Sequence, residues 1–185
     1  TTIKVFKHKL RKKLLKSRKK KFNKNLKINF QKINLLIRKS NVKKPVVGGY
    51  FPVNYEIDCL EILENLEKKK FKICLPKIKR NHLMDFYEYS FSEPLIVNRY
   101  GIPETKNKNI IIPDILLVPL LGFDKKMFRL GYGGGYYDRY IERFQNKKKI
   151  LTIGLGYSFQ QVSKLPIEDF DKSLNYIITN KKIYK

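Results

Sequence analysis

Four of the chain's ten glycines, Gly131, Gly133, Gly134 and Gly135, fall in one five-residue window, with Arg129 just before it and Asp138 just after. Residues without a Cβ let the backbone come close to a ligand, and the first amides of a helix have no intrahelical acceptors, so a window of this kind opening a helix favours anionic oxygen. Phosphate is the expected ligand. Two common templates do not apply: there is no Gly-Lys-Ser/Thr sequence, and a GxGxxG reading from Gly131 would need glycine where Tyr136 stands. A tight strand-to-helix turn with no ligand is the bland alternative, although three successive glycines are a costly way to build one. Lys7 and Arg11 are spaced so that a helix sets both cations on one face, where they could clamp an anion or simply be solvated in a basic run. Glu56 is the first acid in the chain.

For the glycine window to present its amides, a strand must end before it and a helix must begin after it. The apolar run Ile115 to Val118 supplies the strand, and Tyr136 to Phe144 reads as the helix. Upstream, Phe6, Leu10 and Leu14 recur every four residues among Lys and Arg, which predicts a helix over 3–21 docked by one apolar stripe. A weaker helical pattern covers 26–38. From Val46 the texture changes to short apolar runs alternating with an amphipathic helix: strand 46–50, helix 57–69, strand 71–75 halted by Pro76, strand 84–89, then a loop containing Pro94 and Pro103. Strands at 150–155 and 176–179 complete the pattern. Strands alternating with helices over 185 residues predict one α/β domain, a layered α/β/α sheet over 45–180 with a basic helical segment over 1–44.

Lys+Arg exceeds Asp+Glu by 41 to 16, a formal charge of +25. Only eight of the cations are Arg, which fits compositional drift toward Lys better than a dedicated groove reader that exploits the guanidinium fork. Residues 1–55 nevertheless hold eighteen Lys or Arg and no acid, so that quarter is a strong positive field, and a nucleic-acid-binding arm is the rival reading. No zinc knuckle, aromatic RNA-binding motif or clear helix-turn-helix supports it, and nucleic acid is not the expected partner. Cys59 and Cys74 each lie in apolar stretches, which predicts buried, reduced thiols and a cytoplasmic setting. No apolar run approaches the roughly 20 residues of a membrane span.

The runs Leu117 to Asp124 (LVPLLGFD) and Arg129 to Arg139 (RLGYGGGYYDR) together resemble the signature of the 5-formyltetrahydrofolate cyclo-ligase family. Sparser matches follow in order: Lys7, Leu10 and Arg11; Glu56 to Asp58; Leu75 and Pro76; Gly101 to Glu104; Leu165, Pro166 and Asp171. The resemblance implies an enzyme that closes 5-formyltetrahydrofolate to 5,10-methenyltetrahydrofolate with ATP and Mg2+; a monomer is the expected state, though the sequence does not reveal it. The resemblance also implies site roles. Lys7, Arg11, Arg129, Leu130, Gly131, Tyr132, Gly133, Gly134, Gly135, Tyr136 and Tyr137 would hold ATP, and Arg129 and Tyr136 would act in catalysis. Phe51, Glu56 and the stretch Tyr132 to Tyr136 would face the folate, and Asp138 and Asp171 would hold magnesium. The chain departs from the family pattern at Phe128, where a glycine is usual in the turn before Arg129, at Phe170, often His, and at Lys77, sometimes Arg. Asp124 is read as a turn residue.

Overall fold

The computed structural model describes residues 2–185. Four α-helices, α1 (Ile3–Lys21), α2 (Phe30–Lys39), α3 (Leu60–Lys68) and α4 (Tyr136–Phe144), alternate with eleven strands. These are β1 (Val47–Gly48), β2 (Ile73–Ile78), β3 (Met84–Tyr89), β4 (Leu95–Val97), β5 (Pro103–Thr105), β6 (Ile115–Pro119), β7 (Gly122–Phe123), β8 (Arg129–Leu130), β9 (Leu151–Gly156), β10 (Tyr176–Thr179) and β11 (Ile183–Tyr184). Seven form one twisted sheet in the order β11-β10-β9-β6-β1-β2-β3. The five inner strands run parallel, and the two edges, β3 and β11, run antiparallel to their neighbours.

Parallel strands carry apolar side chains on both faces because both faces are covered. One face, through Val47, Ile73, Leu75, Ile115, Leu117 and Ile153, meets Ile33, Leu36 and Ile37 of α2 and Ile62, Leu63 and Leu66 of α3. The other, through Cys74, Leu116, Val118 and Ile177, meets Tyr140, Ile141 and Phe144 of α4. The expected three layers are therefore present. Helix α1 lies apart from both faces and packs Leu14, with Leu10 and Leu15 beside it, on Leu121, Leu130 and Leu165 around the β7–β8 hairpin.

Four sequence expectations need correction. Pro76 does not stop β2, which continues to Ile78 against β3; β1 pairs only with Ile73 and Cys74, so past that point β2 has lost one neighbour and a missing N–H costs it less. The segment with Pro94 and Pro103 contains a small hairpin, β4–β5, rather than only loop. The last expected strand, β10, is followed by the edge strand β11. The stripe of α1 is also different: Phe6 is 54% exposed, and the buried positions are Lys7, Leu14 and Arg18. Two of those three are cations. Hydrophobic spacing could not reveal that face because polar acceptors from distant segments, not apolar contacts alone, line it.

Candidate active site

Gly135 caps α4 in the left-handed conformation (φ +67°) and offers no side-chain acceptor, so the first amides of α4 face outward unpaired. Gly133 is also left-handed, at φ +102°. A Cβ on Gly134 would lie 2.5 Å from the Tyr136 ring, so that ring can lie over the loop only while position 134 is bare. Arg139 Nη1 donates to the Gly134 carbonyl at 2.7 Å and closes the loop from the far side. Leu130 is buried in the cluster under α1, which leaves only its backbone to face a ligand.

The loop forms one wall of a cavity of about 410 Å3. Opposite it stand Lys4, Lys7, His8 and Arg11 of α1, and Glu168, Phe170 and Asp171 form a third side. Arg129, its side chain 5% exposed, bonds Asp138 through Nη2 at 2.9 Å, lies over the Tyr137 ring and leaves Nε without a partner. Arg11 donates Nε to the Gly131 carbonyl at 2.8 Å. Burial lowers its pKa, Asp171 and Glu168 opposing the shift. Lys7 Nζ reaches Glu168 at 2.9 Å and Asp171 at 2.5 Å. The chain thus brings Lys7, Arg11, Arg129, Asp138 and Asp171 to the glycine loop across as many as 164 positions of sequence.

Neither aspartate belongs to a cluster that could cage a metal among the described residues. Asp138 is engaged through both oxygens, by Arg129 and by the Lys172 N–H. Asp171 Oδ2 takes Lys7 and the Glu168 N–H, and among the described residues Oδ1 accepts no hydrogen bond. A carboxylate with lone pairs to spare beside the glycine loop would fit an ion that arrives on phosphate and keeps most of its waters, which is how magnesium is usually bound.

Glu56 opens to a second cavity, of about 240 Å3, between Phe22, Ile28, Phe30, Pro52, Ile57 and Tyr157. Glu56 is 7% exposed, and its carboxylate accepts the Val53 N–H at 2.8 Å. Burial pushes its pKa up to about 7 against the opposing pull of that N–H, Arg18 and Tyr132. Phe51 is half-buried and lines neither cavity; its neighbour Pro52 lines the second. Tyr132 links the two regions, because its ring borders the larger cavity while its hydroxyl meets Arg18.

Sequence reasoning overlooked Arg18, Glu168 and His82, whose ring centroid lies 5.7 Å from that of Tyr136. A signal for the first existed. In a chain where Lys is the default cation, five of eight arginines (Arg11, Arg18, Arg129, Arg139 and Arg143) make specific side-chain hydrogen bonds, so an arginine inside a lysine run is informative. Asp124 proves to be the turn residue expected: buried, it accepts from Lys126 and Phe128 within the β7–β8 turn and from Leu165 beyond it. The left-handed residue of that turn is Met127 (φ +67°), so the position that favours glycine is 127, not 128. Both cysteines are buried and unpaired, and no helix among the described residues is long and apolar enough to cross a membrane.

The model of the 5-formyltetrahydrofolate cyclo-ligase family matches residues 3–180. A 5-formyltetrahydrofolate cyclo-ligase of Haemophilus influenzae is 38% identical over 135 residues, covering 69% of this chain and 72% of its own length. The Escherichia coli K12 protein of the same name is 32% identical over 147 residues, 75% of this chain and 80% of its own. The solution structure of Aquifex aeolicus 5,10-methenyltetrahydrofolate synthetase superposes with a TM-score of 0.76 at 28% identity, covering 97% of this chain and 92% of that one. The Mycoplasma pneumoniae synthetase gives 0.65 at 26%, covering 95% and 99%. The match runs from the first turn of α1 to the last strand but one and takes in both cavities, and on that ground the chain belongs to the 5-formyltetrahydrofolate cyclo-ligase family of enzymes.

Proposed function

We propose that this enzyme closes 5-formyltetrahydrofolate to 5,10-methenyltetrahydrofolate at the expense of ATP. The formyl oxygen takes the γ-phosphoryl group and ADP departs; N10 attacks the formyl carbon and loses its proton, and the C–O bond breaks as phosphate leaves. An amide-like oxygen is a poor leaving group and phosphate a good one, so the protein's task is to align two anionic substrates and balance charge. The observation that carries this reading is the cavity where Lys7, Arg11 and Arg129 converge on the glycine loop and the N-terminus of α4.

In this reading the amides from Leu130 to Tyr137 bind the triphosphate, and Lys7 and Arg11 exchange part of their present bonds for phosphate oxygens. Arg129, kept straight by Asp138, faces the charge that builds on the transferring group, and Tyr136 orients the formyl end of the folate. Asp171, with Asp138 behind it, would hold magnesium, which supplies charge neutralisation on the phosphates. Glu56 accepts hydrogen bonds from the N–H edge of the pterin. The apolar part of the second cavity's lining, Phe22, Ile28, Phe30, Pro52 and Tyr157, suits a flat ring, with Lys24, Lys27, Asp58 and Glu61 around it. The nucleic-acid alternative is less well supported, because Lys7, Arg11 and Arg18 of the basic segment turn toward protein groups.

The test is spectrophotometric detection of 5,10-methenyltetrahydrofolate with 5-formyltetrahydrofolate, ATP and Mg2+, each omitted in turn. Product formation that needs all three is the expected result. Turnover without nucleotide, or none with the full mixture, would overturn the proposal.

A further inference from the structure

Among the described residues Arg18 is the largest side chain fully hidden from solvent, at 1% exposure, and forms no salt bridge. A buried guanidinium without a carboxylate partner is costly unless its N–H groups are placed well. Here they are. Nε donates to the Asn54 carbonyl at 2.9 Å, Nη1 to the Leu120 carbonyl at 3.1 Å, and Nη2 to the Tyr132 hydroxyl. The three acceptors belong to three separate segments: the left-handed turn at Asn54 and Tyr55 that leads into Glu56, the end of β6, and the glycine loop.

Arginine has no acceptor, so the Tyr132 oxygen must receive and its single proton is free to be donated elsewhere. Glu56 is the group that gains from it, and the Asn54 side chain bonds the same hydroxyl. The guanidinium also lies 5.9 Å from the centre of the Tyr132 ring. One buried cation thereby ties the substrate-facing carboxylate to the phosphate-facing loop. Around Glu56 stand Tyr132 from the loop, Tyr50 after β1, Cys59 before α3, Tyr137 in α4 and Tyr157 after β9, each with its pKa raised chiefly by burial, and Lys24, Lys27, Asp58 and Glu61 line the same cavity.

We propose that Arg18 is a positioning residue for the cyclisation, holding Glu56 and Tyr132 in one arrangement so that the folate and the nucleotide loop are set relative to each other. It touches neither substrate and acts through those two side chains. The proposal rests on the reading that Glu56 receives the pterin.

The experiment measures kcat and KM for 5-formyltetrahydrofolate from pH 5.5 to 9 in the wild type, Arg18→Met, Arg18→Lys and Glu56→Gln. Arg18 opposes the upward push of burial on Glu56, so the acid limb of kcat/KM, centred near 7 in the wild type, should move to higher pH in Arg18→Met. The folate KM at pH 7 should rise about tenfold or more. Arg18→Lys restores a charge but not the three-way fork, so its limb should return toward the wild-type position while KM stays raised. An Arg18→Met enzyme with wild-type midpoint and KM would overturn the proposal, as would an Arg18→Lys limb displaced as far as that of Arg18→Met. If Arg18→Met does not fold, the limb and KM of Arg18→Lys decide: unchanged KM overturns it. Glu56→Gln separates the two readings. A wild-type folate KM in that variant refutes the pterin assignment itself, whereas a lost acid limb there with no response to Arg18 substitution refutes only the role of Arg18.

Discussion

Replacing Glu56 with Gln should stabilise the folded protein at neutral and alkaline pH while weakening folate binding. The carboxyl of Glu56 moves from 4.5 to about 7 on folding, chiefly because burial strips its charge of water. Between these two values the folded chain retains a proton that the unfolded chain has released, so stability is lost as pH rises through the window. At about 1.4 kcal/mol per pH unit, the full cost above pH 7 is about 3 kcal/mol. Below pH 4.5 both states are protonated and the cost vanishes. Gln preserves shape and can still accept the Val53 N–H, but it cannot ionise. Urea unfolding of both proteins from pH 4 to 8.5 isolates the effect, since every other titrating group cancels in the difference. The difference should be flat below about 4.5, grow by about 3 kcal/mol up to pH 8, and favour the variant. A difference that stays constant with pH, or one that favours the wild type as pH rises, would refute the argument that Glu56 is held against its own desolvation. The same variant should bind 5-formyltetrahydrofolate at least tenfold more weakly, which would explain why a destabilising carboxylate is present.

Arg129→Ala should lower turnover about 100-fold or more and also cost about 1–3 kcal/mol in unfolding, because Asp138 Oδ2 loses its buried partner and only the Lys172 bond to Oδ1 remains; near-normal turnover in the folded variant would remove Arg129 from the chemistry. Gly134→Ala puts a methyl 2.5 Å from the Tyr136 ring and should weaken ATP binding about tenfold by calorimetry. Gly101→Ala is the control: unlike Gly134 it is left-handed (φ +75°), but it has open space around it, does not line the cavity, and should leave ATP affinity unchanged. Lys7→Met strands Glu168 and Asp171 beside each other; ATP KM should rise about tenfold, with about 1–2 kcal/mol lost in unfolding. Adding Asp171→Asn should recover part of that stability and none of the ATP affinity, and recovery of both would show that Lys7 only neutralises the acids.

Local rules made α1, α4, β3 and β10 legible, because helical or strand periodicity is a property of neighbouring residues. The glycine loop was equally legible: a missing Cβ is a local fact, and so is the set of unpaired amides at the start of α4. Neither the extent of β2 past Pro76 nor the inward face of α1 could be read this way. Each depends on what another segment presents, β1 ending early in one case and carbonyls from distant loops in the other.

The order of amino acids therefore determined the layered α/β chain and the glycine loop, both of which follow from backbone freedom and side-chain spacing over a few residues. Only the tertiary structure decided which charges matter. It joined Lys7 to Asp171 and Arg18 to Tyr132 across more than a hundred positions, gave the two substrate-sized cavities their walls, and raised the Glu56 carboxyl to about 7. The physical reason is that desolvation and long-range pairing are set by three-dimensional proximity, which sequence separation does not encode.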